Sequence, residues 1–340
     1  MIRTHRILLA GLVLCLTAPL FAGEGARVVA VNPSEFPRKS ETVEVRLADL
    51  LARDSTLLAT GSVEVVDGAS SEELIVQVTD EDLLFQTDFA PGETKTFLVR
   101  ARRKPVDAIV SKVDGYFARP REDYAWENDR IAFRMYGPAL AAEVKNGIDV
   151  WTKRVRGLIV RKWYEEDAKE GKGNYYHTDR GEGADFFAVG KTLGAGGSGI
   201  WYKDSLCQPG VFSSYKTLCN GPIRTSFELT YTTWNVGGER FTERKRISLD
   251  AGWSLNKVEV LFAGIQRGDS FLVACGLVKR KNATVRLSES GSLVALWGPT
   301  NDDPVNVSLG TGIILLPSTV VRKHEDTSHV ILLGHLTGGE

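Results

Sequence analysis

The sequence contains little sulfur and has no surplus of positive charge. Only four of its 340 residues are Cys and two are Met. No two Cys have the CxxC spacing of common zinc and redox motifs, so we expect no zinc site built from thiolates. The formal net charge is −1. Proteins that bind nucleic acids usually carry a basic surplus, so we expect no nucleic-acid partner.

Long apolar runs are missing after the N-terminus. The chain begins with a basic head, MIRTHR, followed by the apolar stretch ILLAGLVLCLTAPLFA, which ends in a small residue. This pattern predicts a secretory signal peptide at residues 1–22, cleaved after Ala22. A membrane anchor is the alternative, but the apolar core is shorter than a bilayer span. We therefore expect an exported protein, periplasmic or extracellular, without membrane contact after cleavage.

Export makes disulfide bonds possible. Loss of the signal peptide removes Cys15 and leaves Cys207, Cys219 and Cys275, so at least one Cys has no partner within the chain. Cys207 and Cys219 bracket a turn-rich segment, QPGVFSSYKTL, and a local bridge between them is one expectation. The sequence does not determine which of these three Cys form a disulfide bond.

Helical periodicity is nearly absent, and short strand patterns fill the chain. Val-, Leu- and Phe-rich runs such as TVEVRL and KTFLVRA are separated by Pro, Gly and Asp, which is typical of a β-sandwich. In FTERKRISL, alternate residues from Phe241 to Leu249 share one face. Only residues 140–147 suggest a helix. We interpret RGLIVRKWY, residues 156–164, as a strand and residues 165–174 as a charged loop.

We therefore predict an all-β protein with a large antiparallel β-sandwich. Residues 23–104 supply N-terminal strands, which form either a separate small sandwich or the first strands of the large one. Residues 105–340 form the main β-sandwich, with a boundary near Lys104–Pro105, where a basic, Pro-ended connector lies.

Two segments are dense in polar and aromatic residues, namely residues 116–138 and 175–204. Sugars are bound by aromatic rings that stack on their apolar faces and by polar groups that pair with their hydroxyls. A uronic acid adds a carboxylate, which an Arg guanidinium can bind through two parallel hydrogen bonds. The alternative is that these residues form ordinary rims and ion pairs near the ends of strands. The candidate substrate-binding residues are Arg119, Arg121, Tyr124, Trp126, Glu127, Asp129, Arg130, Tyr176, Arg180 and Trp201.

His177 lies within the second segment, close to three acids. An imidazole titrates near neutral pH and can transfer protons at a sugar carbon or oxygen. Asp179, Glu182 or Asp185 could orient it or act as a second acid or base. A solvent-facing loop His is the simpler alternative. We predict no cofactor and no metal ligand set, although the HxD spacing leaves Ca²⁺ or Zn²⁺ open. A GxGxxG match at Gly194–Gly199 lacks the following helix of a dinucleotide site.

The segments WENDRIAFRMYGPAL and HTDRGEGADFFAVGKTLGAGGSGIWYKD closely resemble a family of exported bacterial proteins, DUF4861. The resemblance implies a galactose-mutarotase-like β-supersandwich and a role in the use of polysaccharides, often rich in uronates. It supplies no catalytic residues. Members of the family run further at the C-terminus, so the resemblance implies that this chain is incomplete there.

Together, these observations predict an exported protein that acts on acidic sugars or oligosaccharides. The leading hypothesis is a lyase or a hydrolase with a proton-transfer site of His177 and a carboxylate. The alternatives are a carbohydrate-binding protein without catalysis and a sugar epimerase or mutarotase. The sugar, the linkage and the oligomeric state are not predicted by the sequence.

Overall fold

The computed structural model of the chain describes residues 13–17, 25–102, 108–171, 173–264, 270–300 and 308–337. Most of these residues form antiparallel strands, which confirms the predicted all-β sandwich class. Its mutarotase-like form stays a prediction. The predicted boundary at Lys104–Pro105 lies outside the described residues.

The N-terminal strands form sheets that share a hydrophobic cluster of their own. The strands are β1 Val13–Thr17, β2 Ala26–Val31, β3 Arg38–Arg46, β4 Val63–Asp67, β5 Glu73–Leu74, β6 Val76–Val78, β7 Asp82–Phe89 and β8 Thr94–Ala101, with helix α1 at Leu47–Arg53. One sheet has the order β1-β2-β8-β4-β5 and the other β3-β7-β6. Alternate residues, such as Val28, Val43, Phe85 and Phe97, are fully buried between them.

Strand β1 lies inside the segment predicted as a signal peptide. It is an edge strand that pairs antiparallel with β2, from Val13 opposite Val31 to Thr17 opposite Arg27. The rest of the predicted signal peptide lies outside the described residues. Because β1 is at an edge, cleavage after Ala22 leaves the order β2-β8-β4-β5 unchanged.

A central sheet carries the two polar segments. Its strands are β9 Val113–Ala118, β10 Asp123–Asn128, β11 Ile131–Met135, β12 Ile148–Lys153 and β13 Gly183–Ala184. They pair in the order β13-β12-β11-β10-β9. One face, including Trp126, packs into the largest hydrophobic cluster. The opposite face, including Ala125 and Trp151, packs against helix α2, Val160–Glu170. Every residue of β10 is buried because both faces are covered.

Helix α2 corrects the prediction of a strand at residues 156–164 and a loop at residues 165–174. Its buried residues recur at the spacing of one helix face, and they are Val160, Trp163, Tyr164 and Asp167. Gly171 ends the helix in a left-handed conformation at φ 65°. The predicted helix at residues 140–147 is wrong, since only a 3-10 turn, Pro138–Leu140, forms there.

The remaining strands form the C-terminal sheets. They are β14 Ala195–Tyr202, β15 Ser205–Cys207, β16 Phe212–Asn220, β17 Arg224–Tyr231, β18 Trp234–Val236, β19 Glu239–Asp250, β20 Lys257–Ala263, β21 Ser270–Val278, β22 Thr284–Leu287, β23 Leu293–Pro299, β24 Ser308–Ile314, β25 Val320–Glu325 and β26 His329–Thr337. The sheets have the orders β15-β14-β21-β26-β25, β16-β17-β19-β18 and β22-β23-β24, and β20 pairs with β19. The GxGxxG match falls largely in strand β14, as expected for a sequence without the helix of a dinucleotide site.

The suggested bridge between Cys207 and Cys219 is absent. Cys207, Cys219 and Cys275 are all free thiols. Cys207 ends β15, which pairs with β14, whereas Cys219 lies on β16 in a different sheet. The two Cys therefore do not face each other across a hairpin.

A fully buried ion pair lies in the core beside β14 and β19. Glu243 and Lys245 occupy alternate positions on β19, and their side chains are 0% exposed. Lys245 Nζ lies 2.8 Å from Glu243 Oε1 and 4.2 Å from the centre of the Tyr231 ring. Ser198 Oγ donates to the same Glu243 oxygen at 2.8 Å. Burial acts to lower the pKa of Lys245, but Glu243 and Tyr231 raise it, so the ammonium stays charged.

We expect Glu243→Gln to lower the free energy of unfolding by about 3–5 kcal/mol, because it leaves a buried ammonium without a counter-charge. The double variant Glu243→Gln/Lys245→Met should recover most of this loss, since no charge remains. Urea unfolding measures both. The control is Glu259→Gln, whose partner Lys257 is exposed and whose effect should stay within about 0.5 kcal/mol. A double variant no more stable than Glu243→Gln would contradict the charge argument.

Candidate functional site

Arg134 is the centre of a buried polar network on the α2 side of the central sheet. Its Nε donates to Asp149 Oδ2 at 2.9 Å and its Nη2 donates to Asp185 Oδ2 at 2.8 Å, while Nη2 also lies 2.7 Å from Asp149 Oδ2. Nη1 donates to the hydroxyl of Tyr176 at 3.3 Å and lies 3.7 Å from Asp123 Oδ2. Burial acts to lower the pKa of Arg134, but Tyr136 and the carboxylates raise it well above its ordinary value.

The network contains more carboxyl groups than cations. Asp123, Asp149 and Asp185 surround one guanidinium, and all three are buried. Burial raises the pKa of Asp123 from 3.8 to about 6, although Arg134 and the hydroxyl of Tyr164 oppose that shift. Asp123 therefore takes up a proton closer to neutral pH than an ordinary Asp does.

His177 connects this network to the surface. It ends the 3-10 turn Tyr175–His177, and its side chain is 46% exposed. Its Nδ1 lies 3.1 Å from the carbonyl oxygen of Asp185 and 3.6 Å from the Asp185 carboxylate. The amide of Asp185 in turn donates to the carbonyl of Tyr176 at 2.7 Å. Of the three acids predicted as partners of His177, the structure brings Asp185 to it.

The contacts of His177 determine which nitrogen can act as a base. A carbonyl oxygen only accepts hydrogen bonds, so in the neutral ring Nδ1 carries the proton. Nε2 then holds the lone pair, and the ring is partly open to solvent. A neutral imidazole of this kind can remove a proton from a bound molecule and return it.

Asp179 and Glu182 hold the neighbouring loop in place. Asp179 pairs with Arg154 at 2.5 Å and accepts the amides of Gly181 and Gly183. Glu182 accepts from Lys162 at 2.7 Å and from the indole of Trp163 at 3.2 Å. Burial acts to raise the pKa of Asp179, but its hydrogen bonds lower it; the hydrogen bond from Lys162 lowers the pKa of Glu182. Both groups are held as carboxylates.

The predicted aromatic residues do not form one surface. Trp126 and Tyr124 are 0% exposed and face the largest cluster, across the central sheet from Tyr176. Tyr176 is itself buried and stacks on Trp151 at 4.6 Å. Trp201 packs in another cluster, where its ring lies 4.4 Å from that of His324. The rings of Trp126, Tyr176 and Trp201 are therefore covered and share no exposed surface in this structure, and their stacking on sugar rings stays a prediction.

Two of the predicted Arg residues flank Tyr175, close to His177. Arg121 donates to Asp167 at 2.8 Å, and the other oxygen of Asp167 accepts the amide of Tyr175 at 3.0 Å. The guanidinium of Arg180 lies 4.3 Å from the centre of the Tyr175 ring. Arg119 is exposed beside Phe117 instead. Arg121 and Arg180 are thus the predicted cations placed beside Tyr175, two residues before His177, and both are ion-paired, Arg121 with Asp167 and Arg180 with Glu170 at 3.1 Å.

Glu127 has a structural place at the start of α2. It is 1% exposed, accepts the amides of Ile159 and Val160, and pairs with the fully buried ammonium of Lys153 at 2.5 Å. A carboxylate at a helix N-terminus satisfies amides that lack partners in the helix.

Asp129 and Arg130 border a polar cavity of about 320 Å³. We call it the arginine cleft, and its lining includes Asp129, Arg130, Arg154, Arg156 and Ser254. Asp129 accepts the amide of Gly252 at 2.7 Å and lies 3.6 Å from Arg156.

A second cavity, of about 440 Å³, lies on the other side of the turn between β19 and β20. Trp253 lines it together with Phe36, Arg38 and Lys39 from the N-terminal sheets. Because Trp253 and Ser254 are adjacent in sequence, the two cavities are neighbours.

Arg134, Asp149 and Asp123 are the residues that sequence reasoning missed. A signal existed, since Arg134 interrupts the apolar run IAFRMY and Asp149 interrupts IDVW. A charged residue within a buried strand needs a partner of opposite charge. The sequence does not show which strand supplies the acidic partner of Arg134. The strand register does, since it places Arg134 opposite Asp149.

Comparison with known proteins identifies the family. Residues 30–337 match the family described as Domain of unknown function (DUF4861). The chain belongs to this family. It is 33% identical over 307 residues to "Uncharacterized protein P7" of Formosa agariphila, an alignment that covers 85% of this chain and 75% of that protein. No solved structure matches the chain.

Neither a membrane helix nor a metal cluster is found in the described part of this DUF4861 protein. None of its described helices is long and apolar enough to cross a membrane. Across the same residues, no group of three or more His, Cys, Asp or Glu side chains is placed to hold a metal ion. Binding of Ca²⁺ or Zn²⁺ at the HxD sequence of His177 and Asp179 therefore stays open.

The raised pKa of Asp123 predicts a pH-dependent contribution to stability. Because its folded pKa exceeds its unfolded pKa, this contribution is fully present below about pH 4 and is lost as the pH rises through about 6. Asp123→Asn removes it. The unfolding free energy of the natural protein minus that of the variant should therefore fall by about 2–3 kcal/mol between pH 4 and pH 7, with a steepest slope of about 1.4 kcal/mol per pH unit. Denaturant titrations at each pH measure the difference, and parallel curves would contradict the assignment.

Proposed function

We propose that this protein acts on an acidic carbohydrate and that His177 transfers the proton. The observation that carries the proposal is the contact of His177 Nδ1 with the backbone carbonyl of Asp185, which leaves Nε2 as a base at a partly exposed position. The buried pair of Asp185 and Arg134 holds that carbonyl in place. Because the ring is held through Nδ1, Nε2 already has a fixed orientation, and the imidazole needs no rearrangement before it accepts a proton.

Elimination or epimerisation suits the site better than hydrolysis. Glycoside hydrolysis usually needs two carboxyl groups across the bond, one of them protonated. Asp179 and Glu182 are ion-paired, and their pKa values are lowered, so neither serves as the acid. A lyase or an epimerase instead needs a base at the carbon beside a carboxylate, together with cations that stabilise the resulting charge. His177 is the base in this proposal, and Arg121 and Arg180 are the cations.

Export and a role in polysaccharide breakdown are part of the same proposal. The basic head and apolar stretch of residues 1–22 support export. Acidic oligosaccharides outside the cytoplasm are degraded by enzymes that work after secretion, so the two expectations agree. A carbohydrate-binding protein without catalysis is the second candidate, and the arginine cleft is the observation that favours it.

We expect His177→Ala to lower turnover of a uronate-containing oligosaccharide by roughly 10²–10⁴-fold, the usual contribution of a general base. Mass spectrometry of the products identifies the reaction. Elimination gives fragments whose summed mass equals that of the substrate, hydrolysis adds one water for each broken bond, and epimerisation leaves the mass unchanged but alters the NMR spectrum. The control is His335→Ala, an exposed His on β26. Full activity of His177→Ala would remove His177 from the mechanism.

Glu182→Gln separates elimination from hydrolysis. We expect turnover to stay close to that of the natural protein, because Glu182 only holds Lys162 and Trp163 in this proposal. Steady-state kinetics on the same substrate test this. A drop of about 10²-fold or more, with unchanged thermal unfolding, would indicate a catalytic carboxyl group and favour the hydrolase.

A further inference from the structure

The arginine cleft gathers positive charge from two separate loops. Arg130 lies in the turn between β10 and β11, and Arg154 and Arg156 follow β12. The side chains of Arg154 and Arg156 are 59% and 68% exposed. Arg130 is also exposed, and the structure shows it no carboxylate partner among the described residues. Like charges collected around one cavity repel each other, and a bound anion relieves that repulsion.

The walls of the cleft are fixed by a buried amide. Asn128 is 0% exposed, and its Oδ1 accepts the amides of Arg130 and Ile131 at 2.8 and 3.0 Å. Its Nδ2 donates to the carbonyls of Asp250 and Trp253, both at 2.6 Å. One side chain therefore joins the turn that carries Arg130 to the turn that carries Ser254. Walls held in this way lose little conformational freedom when a ligand binds.

A buried neutral pair lies beneath the cleft. The side chain of Lys153 is 0% exposed, and its ammonium donates to Glu127 and to the carbonyl of Asn128 at 2.5 and 2.6 Å. Its charge is thus compensated inside the protein. The charge offered to a ligand comes from three guanidinium groups. Arg154 is ion-paired with Asp179 and Arg156 lies 3.6 Å from Asp129, so Arg130 is the one without a carboxylate partner among the described residues.

We propose that the arginine cleft binds the anionic group of an acidic sugar residue, a carboxylate or a sulfate ester. The sugar class rests on the proposed function, whereas the position and the residues of this binding site do not. A guanidinium binds either anion through two parallel hydrogen bonds. The cavity of about 320 Å³ lies at the small end of the range of ligand pockets, roughly 300–1,000 Å³.

The neighbouring cavity supports a ligand longer than one sugar. Trp253 and Phe36, which is 73% exposed, provide aromatic surface directly beyond Ser254. Arg38 and Lys39 line the same cavity together with Glu41, which pairs with Arg38 at 2.8 Å, and Lys39 pairs with Asp88. A chain that places its anionic group in the arginine cleft can continue past Ser254 onto this aromatic and basic surface.

Calorimetric titration with trigalacturonate and with a sulfated galacto-oligosaccharide tests the inference. We expect the double variant Arg130→Gln/Arg156→Gln to weaken binding of at least one of these ligands by roughly tenfold or more, and higher salt to weaken binding to the natural protein. The two ligands distinguish a carboxylate site from a sulfate site. A neutral galacto-oligosaccharide of equal length should show no dependence on the two Arg. The matched control is Arg286→Gln, an exposed Arg on β22 in a different sheet.

The outcome separates this inference from the proposed function. His177→Ala should keep the affinity of the natural protein for the anionic ligand, since the cleft does not use His177. Equal affinity of the natural protein, the double Arg variant and Arg286→Gln would overturn the arginine cleft even if His177→Ala abolishes turnover. Loss of binding in the double Arg variant, with no turnover by the natural protein, would sustain the cleft and reject the catalytic proposal.

Discussion

The candidate site depends on the burial of a single guanidinium. Arg134 would be unstable inside the sheet without Asp149 and Asp185, and these acids would be equally unstable without Arg134. Their mutual pairing fixes β11, β12 and the loop that follows His177 relative to one another. The carbonyl oxygen that contacts His177 Nδ1 belongs to Asp185, one of the paired acids. The ion pairs that stabilise the buried Arg134 therefore also fix the orientation of the imidazole.

A second buried ion pair, at the end of β12, also holds neighbouring elements in place. Glu127 and Lys153 neutralise each other while Glu127 holds the start of helix α2. Helix α2 then covers Trp151 and supplies Asp167, the partner of Arg121. Charged groups in this sheet therefore position the loops at its margin, and the aromatic residues between them fill the interior. Many of the residues from which the sequence predicted a sugar site are therefore buried and stabilise the surrounding structure.

Sequence reasoning predicted the class of fold correctly, whereas the positions of the residues around His177 followed only from the structure. Alternation in FTERKRISL predicted a buried face of β19, which forms with Glu243 and Lys245 inside it. The helix at Val160–Glu170 was missed because its apolar residues also suit a strand of that length. Trp126 was assigned to a binding surface because composition does not show that both faces of β10 are covered. Asp185 could be proposed as the partner of His177, but its selection over Asp179 required the turn that brings it back to Tyr176.

The ion pair of Arg154 and Asp179 connects the arginine cleft with the loop that follows His177. Arg154 lines the arginine cleft, while Asp179 holds the turn that begins two residues after His177. An anion that draws Arg154 towards the cleft competes with Asp179 for the same guanidinium. If the cleft binds an anion as proposed, its occupancy and the pairing of Arg154 with Asp179 are linked, and the linkage is reciprocal: whatever strengthens that ion pair weakens binding in the cleft by the same factor.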